Sequence, residues 1–380
     1  MKRERSPIIP LLLLLVSLVT LTYPAHAGEE HPTLAIGSPA PDFNLPGIDG
    51  KHHSLKDFAK AEILLVVFTC NHCPTAQAYE DRIIQIATDY KNKSVAVVAI
   101  MPNDPSSIRL NELDYTDMGD SFEEMKLRAA RKHFNFPYLY DGATEETSKK
   151  YGPVATPHVF IFDKQRKLHY SGRIDDVEKP TKTPRTRDTR NALDALLAHQ
   201  EPPVTTTKVF GCSIKWAEKS DWIVKAKEEW AKEPVKLDSI DAPGIKDLIK
   251  NNSGKLRLIN VWATWCGPCV TEYPEFIKMH RMYGRRDFEF VSISADDPAQ
   301  SAKVLKFLKG QQSSVTNYLF NTDDKYALIE AIDPKWQGAL PYTLLVEPGG
   351  KVIFSQQGAV DPEALKTMII DHPLLGRYYR

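Results

Sequence analysis

Cys266 and Cys269, separated by Gly267-Pro268 and preceded by Trp265, are two thiols at a spacing with few chemical uses. Such a pair can exchange disulfides, supply half of a tetrahedral zinc site, or anchor a c-type haem. Zinc needs two more ligands, and no Cys or His pair follows closely, since His280 stands alone. Haem attachment needs a His directly after the second cysteine, where this chain has Val270. Redox exchange is the use that remains. It needs an acidic thiol, and the flanking sequence supplies a means. The apolar run Leu258-Ile259-Asn260-Val261-Trp262 reads as a buried strand, and Tyr273, Phe276, Ile277 and His280 recur at helical spacing. A strand feeding a CxxC into a helix N-terminus places the helix dipole against a thiolate. Cys266 then attacks a disulfide and Cys269 resolves the mixed disulfide.

The same plan occurs a second time. Ile63 to Phe68 is a continuous apolar strand leading into Thr69-Cys70-Asn71-His72-Cys73-Pro74. Ala76, Tyr79, Ile83, Ile84 and Ala87 then mark a helix. A strand from Ser94 to Ile100 follows, and Ser121-x-x-Glu124 reads as a capping box opening another helix. Thr156-Pro157 precedes an apolar strand and hairpin, as Leu340-Pro341 does before Tyr342-Thr343-Leu344-Leu345-Val346. Alternating strands and helices predict an α/β protein with two tandem domains, each a central mixed sheet with helices on both faces.

WCGPC, its leading strand and Leu340-Pro341-Tyr342 resemble the thioredoxin superfamily, and within it the TlpA/ResA-like thiol:disulfide oxidoreductases, over roughly residues 236 to 376. That resemblance implies a thioredoxin fold, a cis Pro341 facing the cysteines, and a peptide-holding segment around Trp265, Leu340 and Pro341. It also implies a proton-handling Glu272, three residues after Cys269, because Asn260 stands where ordinary thioredoxins carry a buried Asp. The residues alone leave Glu272 as a first-turn glutamate favoured by the helix dipole, and Pro341 as an ordinary trans proline opening a strand. CGPC resembles the reducing end of the superfamily, so a dithiol donor recharged by a membrane thiol reductant is expected.

Residues 35 to 175 resemble the AhpC/TSA peroxiredoxin-like group through Ile36-Gly37-Ser38-Pro39-Ala40-Pro41-Asp42-Phe43 and Phe68-Thr69-Cys70-Asn71-His72-Cys73-Pro74. By the same likeness Cys70 and Cys73 are catalytic thiols, and Thr156 and Pro157 hold substrate. True peroxiredoxins place Thr or Ser three residues before the peroxidatic cysteine. Here Val67 precedes Cys70 at that distance, and Cys70 itself precedes Cys73. Peroxidase chemistry is therefore an alternative rather than the first expectation. Copper handling is another, because Sco-like proteins share the fold and a similar Phe-Thr, cysteine-pair and Pro order. Cys70, His72 and Cys73 with His158 or His169 would suit Cu(I). His158 also reads as a half-exposed polar residue at a strand start. The loop from Phe68 to Cys70 is shorter than that from Trp262 to Cys266, which leaves open which thiol of the first pair opens its helix. No metal or cofactor is required by the dithiol reading.

The chain has 380 residues, enough for two ordinary domains, with 49 basic and 49 acidic side chains. That balance provides no field for nucleic acid. Lys2, Arg3 and Arg5, the apolar stretch from Ile8 to Thr22, and Ala25-His26-Ala27 read as a signal peptide over residues 1–27. The remainder is expected in a bacterial periplasm, without stable membrane insertion after cleavage, acting on disulfide-containing periplasmic proteins. Residues 176–234 read as a linker and extension, with short helices over Arg190 to His199 and Ala217 to Ala231, before the second domain at 235–380. The extension carries the odd thiol, Cys212, in Gly211-Cys212-Ser213-Ile214-Lys215-Trp216. It reads either as a small buried apolar residue or as a resolving thiol for Cys70/Cys73.

Overall fold

A hairpin of β1 (Asn44–Pro46) and β2 (His52–Ser54) leads into β3 (Ile63–Phe68), which is buried along its whole length. A strand without a polar side must be covered on both faces, and both coverings follow in the chain. The computed structural model describes residues 31–179 and 182–379, so the expected signal segment lies outside the described residues. After β3 come α1 (Pro74–Tyr90), β4 (Val95–Met101), α2 (Phe122–Lys132), β5 (Tyr138–Tyr140), α3 (Glu146–Tyr151), β6 (Ala155–Thr156), β7 (His158–Phe162) and β8 (Leu168–Gly172). The first sheet has the order β5-β4-β3-β7-β8, with β3, β4 and β5 parallel and β7 and β8 antiparallel. Ile63, Leu65 and Val67 face a core with α1 and α2, while Leu64, Val66 and Phe68 face Tyr151 of α3. Ser121 and Glu124 form the expected capping box at α2.

The stretch read as a linker belongs largely to this domain. It forms α4 (Asp188–Leu197), whose Ala192 and Leu193 enter the same core as α1, because Arg173 holds Asp188 at 2.8 Å and draws the helix onto the sheet. The chain then returns as β9 (Cys212–Ser213), antiparallel to β6. A single 3-10 turn, Ala217–Lys219, precedes α5 (Asp221–Lys232), so that helix begins later than its sequence suggests. It buries none of its residues: Trp222 faces solvent, and Trp230 lies under the Arg281 guanidinium.

The second domain runs β10 (Asp238–Ile240), α6 (Ala242–Lys250), β11 (Leu256–Trp262), α7 (Gly267–Tyr283), β12 (Phe288–Ser294), α8 (Ser301–Gly310), β13 (Thr316–Phe320), α9 (Lys325–Ile332), β14 (Tyr342–Val346), β15 (Val352–Gln357) and α10 (Pro362–Asp371). Its sheet order is β10-β13-β12-β11-β14-β15, with β14 antiparallel to β11. Alternation along β11 sends Leu256, Leu258 and Trp262 toward α7, α8 and α10, and Ile259 and Val261 toward α6 and α9. Both domains are thus mixed sheets with helices on both faces.

The two domains share a junction. Ile108 and Leu113, in the first domain's loop before α2, are buried in the second domain's core. Asp117 of that loop, 1% exposed, accepts hydrogen bonds from Arg377 and Arg131 at 2.8 Å each and from the Thr367 hydroxyl. Those contacts hold its carboxyl down at about 2: burial opposes ionisation, and the Arg377 guanidinium overcomes it. Tyr283, the last residue of α7, donates its hydroxyl to the Thr116 carbonyl.

Candidate functional site

The second-domain thiols lie where β11 hands the chain to α7. Cys266 is the N-cap, with Pro268 in the first turn, and its sulfur accepts the Cys269 N–H at 3.3 Å. Cys266 and Cys269 form a disulfide. Trp265 beside them is 60% exposed, and half-buried Leu340 packs against the cluster that holds both cysteines. The Leu340-Pro341 peptide is cis, as is Thr156-Pro157. Asn260 points to the α7 face and donates its amide to Glu272 at 3.3 Å and to Thr343 at 3.1 Å. Glu272 also accepts the Val360 N–H at 3.0 Å. Burial pushes its carboxyl up to about 6 despite these bonds, so it exchanges protons near neutral pH.

The first-domain pair is arranged differently. The helix cap here stands five positions after Phe68, against four after Trp262 in the second domain, so the cap is the second cysteine, Cys73. Its sulfur accepts the Ala76 N–H at 3.4 Å and the Cys212 N–H at 3.3 Å. Burial opposes a charge on Cys73. The neighbouring Cys212 and Cys70 thiols, cationic His72 and the Ala76 N–H together outweigh it and bring the thiol well below its ordinary range. Cys70 lies behind it, 3.0 Å from the Thr156 hydroxyl, and is pushed far up by burial and by Cys73. Cys212 is raised as well, first by its bond to Cys73 and then by burial. Of the three sulfurs, Cys73 is the one shifted toward the thiolate, and Cys70 and Cys212 are shifted away from it.

Asp120 favours the charged form of His72. The two are buried and 2.6 Å apart; burial disfavours the imidazolium, and the carboxylate overrides it and raises the His72 pKa. Asp120 also accepts the Asn71 and His72 backbone N–H groups and the Asn103 amide at 2.7 Å, so it fixes the shape of the CNHC loop. No sequence motif marks Asp120, because its role comes from a contact across 48 positions. Ligand atoms of Cys70, His72 and Asp120 fall within 4.8 Å of one another, but the Asp120 oxygens are taken up by His72, Asn103 and the loop backbone. The two histidines considered as extra ligands are elsewhere. His158 is buried rather than half-exposed: it accepts the Val154 N–H, meets the Ser171 hydroxyl at 3.0 Å, and burial lowers its pKa to about 3. His169 pairs with Asp163 and Glu201. Thr156 and Pro157, expected to receive an incoming peptide, already hold Cys212, since Thr156 pairs with it in the β6–β9 ladder.

Two mixed-sheet domains, each with a cysteine pair at the strand–helix turn and a cis proline before a late strand, define a thioredoxin-fold thiol–disulfide oxidoreductase. Residues 36–171 match the AhpC/TSA family and residues 232–369 the Redoxin family, so the chain carries one domain of each. Among curated relatives, a thiol-disulfide oxidoreductase ResA of Bacillus cereus is 27% identical over 149 residues, covering 37% of this chain and 78% of that protein. ResA of Geobacillus thermodenitrificans is 26% identical over 172 residues, covering 44% and 87%. Among solved structures, a hypothetical protein from Sinorhizobium meliloti is 32% identical, covers 49% of this chain and 97% of that one, and has a TM-score of 0.44. An uncharacterised conserved protein from Geobacillus kaustophilus is 37% identical, covering 48% and 92%, with a TM-score of 0.43.

Proposed function

We propose that this protein is a periplasmic reductase of protein disulfides, acting through Cys266 and Cys269 and recharged by a membrane thiol reductant. The observation that carries this is the open second site, where a helix-capping Cys266 lies beside exposed Trp265 and half-buried Leu340, with Glu272 behind the pair. In the reduced state the Cys266 thiolate attacks a client disulfide, forming a mixed disulfide and releasing one client thiolate, which takes a proton. Glu272 accepts the Cys269 proton, and the Cys269 thiolate attacks the Cys266 sulfur. The second client thiol leaves, and the Cys266–Cys269 disulfide forms. The client gains the two electrons that the dithiol loses. Clients are disulfide-containing periplasmic proteins held along Leu340-Pro341. Among the described residues no helix is long and apolar enough to cross a membrane. The test is insulin reduction by the reduced full chain. Cys266→Ser is expected to abolish most of it, and full activity in that variant with loss in Cys73→Ser would move the main site to the first domain.

A further inference from the structure

The two domains carry the same groove in different states. In the second, Ala339 is exposed, Leu340 half-buried, and among the described residues no strand pairs with either. In the first, the corresponding Thr156 is buried and paired antiparallel with Cys212 of the chain's own return segment. That segment is fixed at both ends. On one side the Ser171 N–H donates to the Thr205 carbonyl and the Arg173 N–H to the Thr207 hydroxyl. On the other, Lys215 N–H donates to Asn103, Ala217 N–H to Glu145, and Ile214 and Trp216 are buried. Between them it is held by the two-residue β6–β9 pairing, the Cys212 N–H to Cys73 bond and the half-buried Phe210 ring against Tyr79. Gly211 makes the approach feasible: its φ is +145°, and a Cβ there would lie 2.0 Å from the Thr156 carbonyl oxygen.

We propose that the Cys212 strand is a tethered substrate occupying the first site's peptide groove, so that Cys73 is closed to protein clients until this strand lifts, and that Cys212 is the partner thiol of Cys73. This rests on reading Cys73 as an exchanging thiolate. With the strand lifted, Cys73 attacks a low-molecular-weight disulfide, giving a mixed disulfide and one small thiolate. As the strand returns, the Cys212 thiol gives its proton to that thiolate and attacks Cys73. A Cys73–Cys212 disulfide forms and the second small thiolate leaves, taking its proton from water; the small disulfide gains the two electrons that the cysteines lose. Cys70 then displaces Cys212 from Cys73 with no further change in oxidation state. Cys73 thereby serves two disulfides, one sealing the groove and one freeing the strand.

The test uses the full chain with Cys266→Ser and Cys269→Ser, treated with hydroxyethyl disulfide, quenched in acid and mapped by mass spectrometry, with and without Cys70→Ser. A Cys73–Cys212 link is expected, dominant when Cys70 is absent. A lasting hydroxyethylthio adduct on Cys73 in place of that link overturns the proposal. Gly211→Val in the same background is expected to speed iodoacetamide labelling of Cys73 about tenfold, because a covered thiol reacts in proportion to its open population. An unchanged rate in a variant with wild-type circular dichroism overturns the gating. If Gly211→Val does not fold, amide hydrogen exchange of Cys212 in the unaltered chain decides: exchange faster than at Ile214 supports a lifting strand, and equal protection overturns it. Insulin reduction by the chain with Cys266 and Cys269 intact is read separately, so its failure condemns the second-site reading alone.

Discussion

At the scale of single residues, two carboxylates set the chemistry of the two sites by opposite routes. Burial raises the Glu272 carboxyl to about 6 from its usual 4.5. A carboxyl whose folded pKa is raised stabilises the fold below its unfolded value, and that contribution is lost as pH rises through 6. Glu272→Gln is therefore expected to raise the melting temperature at pH 8 and leave it little changed at pH 4, while slowing disulfide transfer several-fold above pH 6. Thermal unfolding and insulin reduction at the two pH values check the opposed signs; equal rates would leave Glu272 a helix residue only. Asp120 acts the other way, keeping His72 charged beside Cys73. Asp120→Asn removes the ion pair, lowers the His72 pKa and raises that of Cys73. The thiolate absorbance near 240 nm is expected to titrate at least about one pH unit higher. An unshifted titration would remove His72 from the account.

At the scale of elements, the decisive feature is where each helix starts relative to its cysteines. In the second domain Cys266 caps α7 and Cys269 lies in the first turn; in the first, Cys73 caps α1 and Cys70 lies in the preceding loop. The helix-capping thiol is thus the first cysteine of one pair and the second of the other. Three positions before Cys73, where a peroxidatic site places a hydroxyl, the chain has Cys70, whose sulfur is engaged by Thr156. Slow peroxide consumption is expected, with thiol exchange at Cys73 retained, since exchange needs only a stabilised anion and access. Rapid hydrogen peroxide turnover that survives Cys266→Ser and fails in Cys73→Ser would make peroxidase the first domain's role.

At the scale of the whole molecule, α7 joins the two sites by separating them. Cys266 caps its start, and Tyr283 at its end meets Thr116, whose hydroxyl accepts from Gln77 in the first turns of α1. The seventeen residues of α7 span about 25 Å from the cysteine end to the junction. Asp117 maintains that arrangement, anchoring Arg377 and Thr367 of the second domain. Its contribution is present above its ordinary pKa of 3.8 and is lost as pH falls from there toward about 2. Asp117→Asn is expected to cost about 3 kcal/mol, as breaking a buried pair does, and to split thermal unfolding into two transitions at pH 7. A single transition at the wild-type temperature would show that Ile108 and Leu113 carry the junction alone.

The local grammar of this chain determined much by itself. Uninterrupted apolar strands, helical spacing after each cysteine pair, and an X-Pro before each late strand specify two mixed α/β sheets and mark Cys266 and Cys269, because each signal lies within a few residues of the atoms it positions. What only the tertiary structure decided came from contacts between distant segments. Asp120 favours a charged His72 from 48 positions away, Cys212 reaches Cys73 across 139, and the helix read in the linker joins the first domain because Leu193 fits its core. The start of α1 at Pro74 made Cys73 rather than Cys70 the helix cap, and Gly211 allowed the chain to fill its own groove. Such pairings bring together groups that carry no local sequence pattern, so only closure of the sheets and the return of the chain across β6 could reveal them.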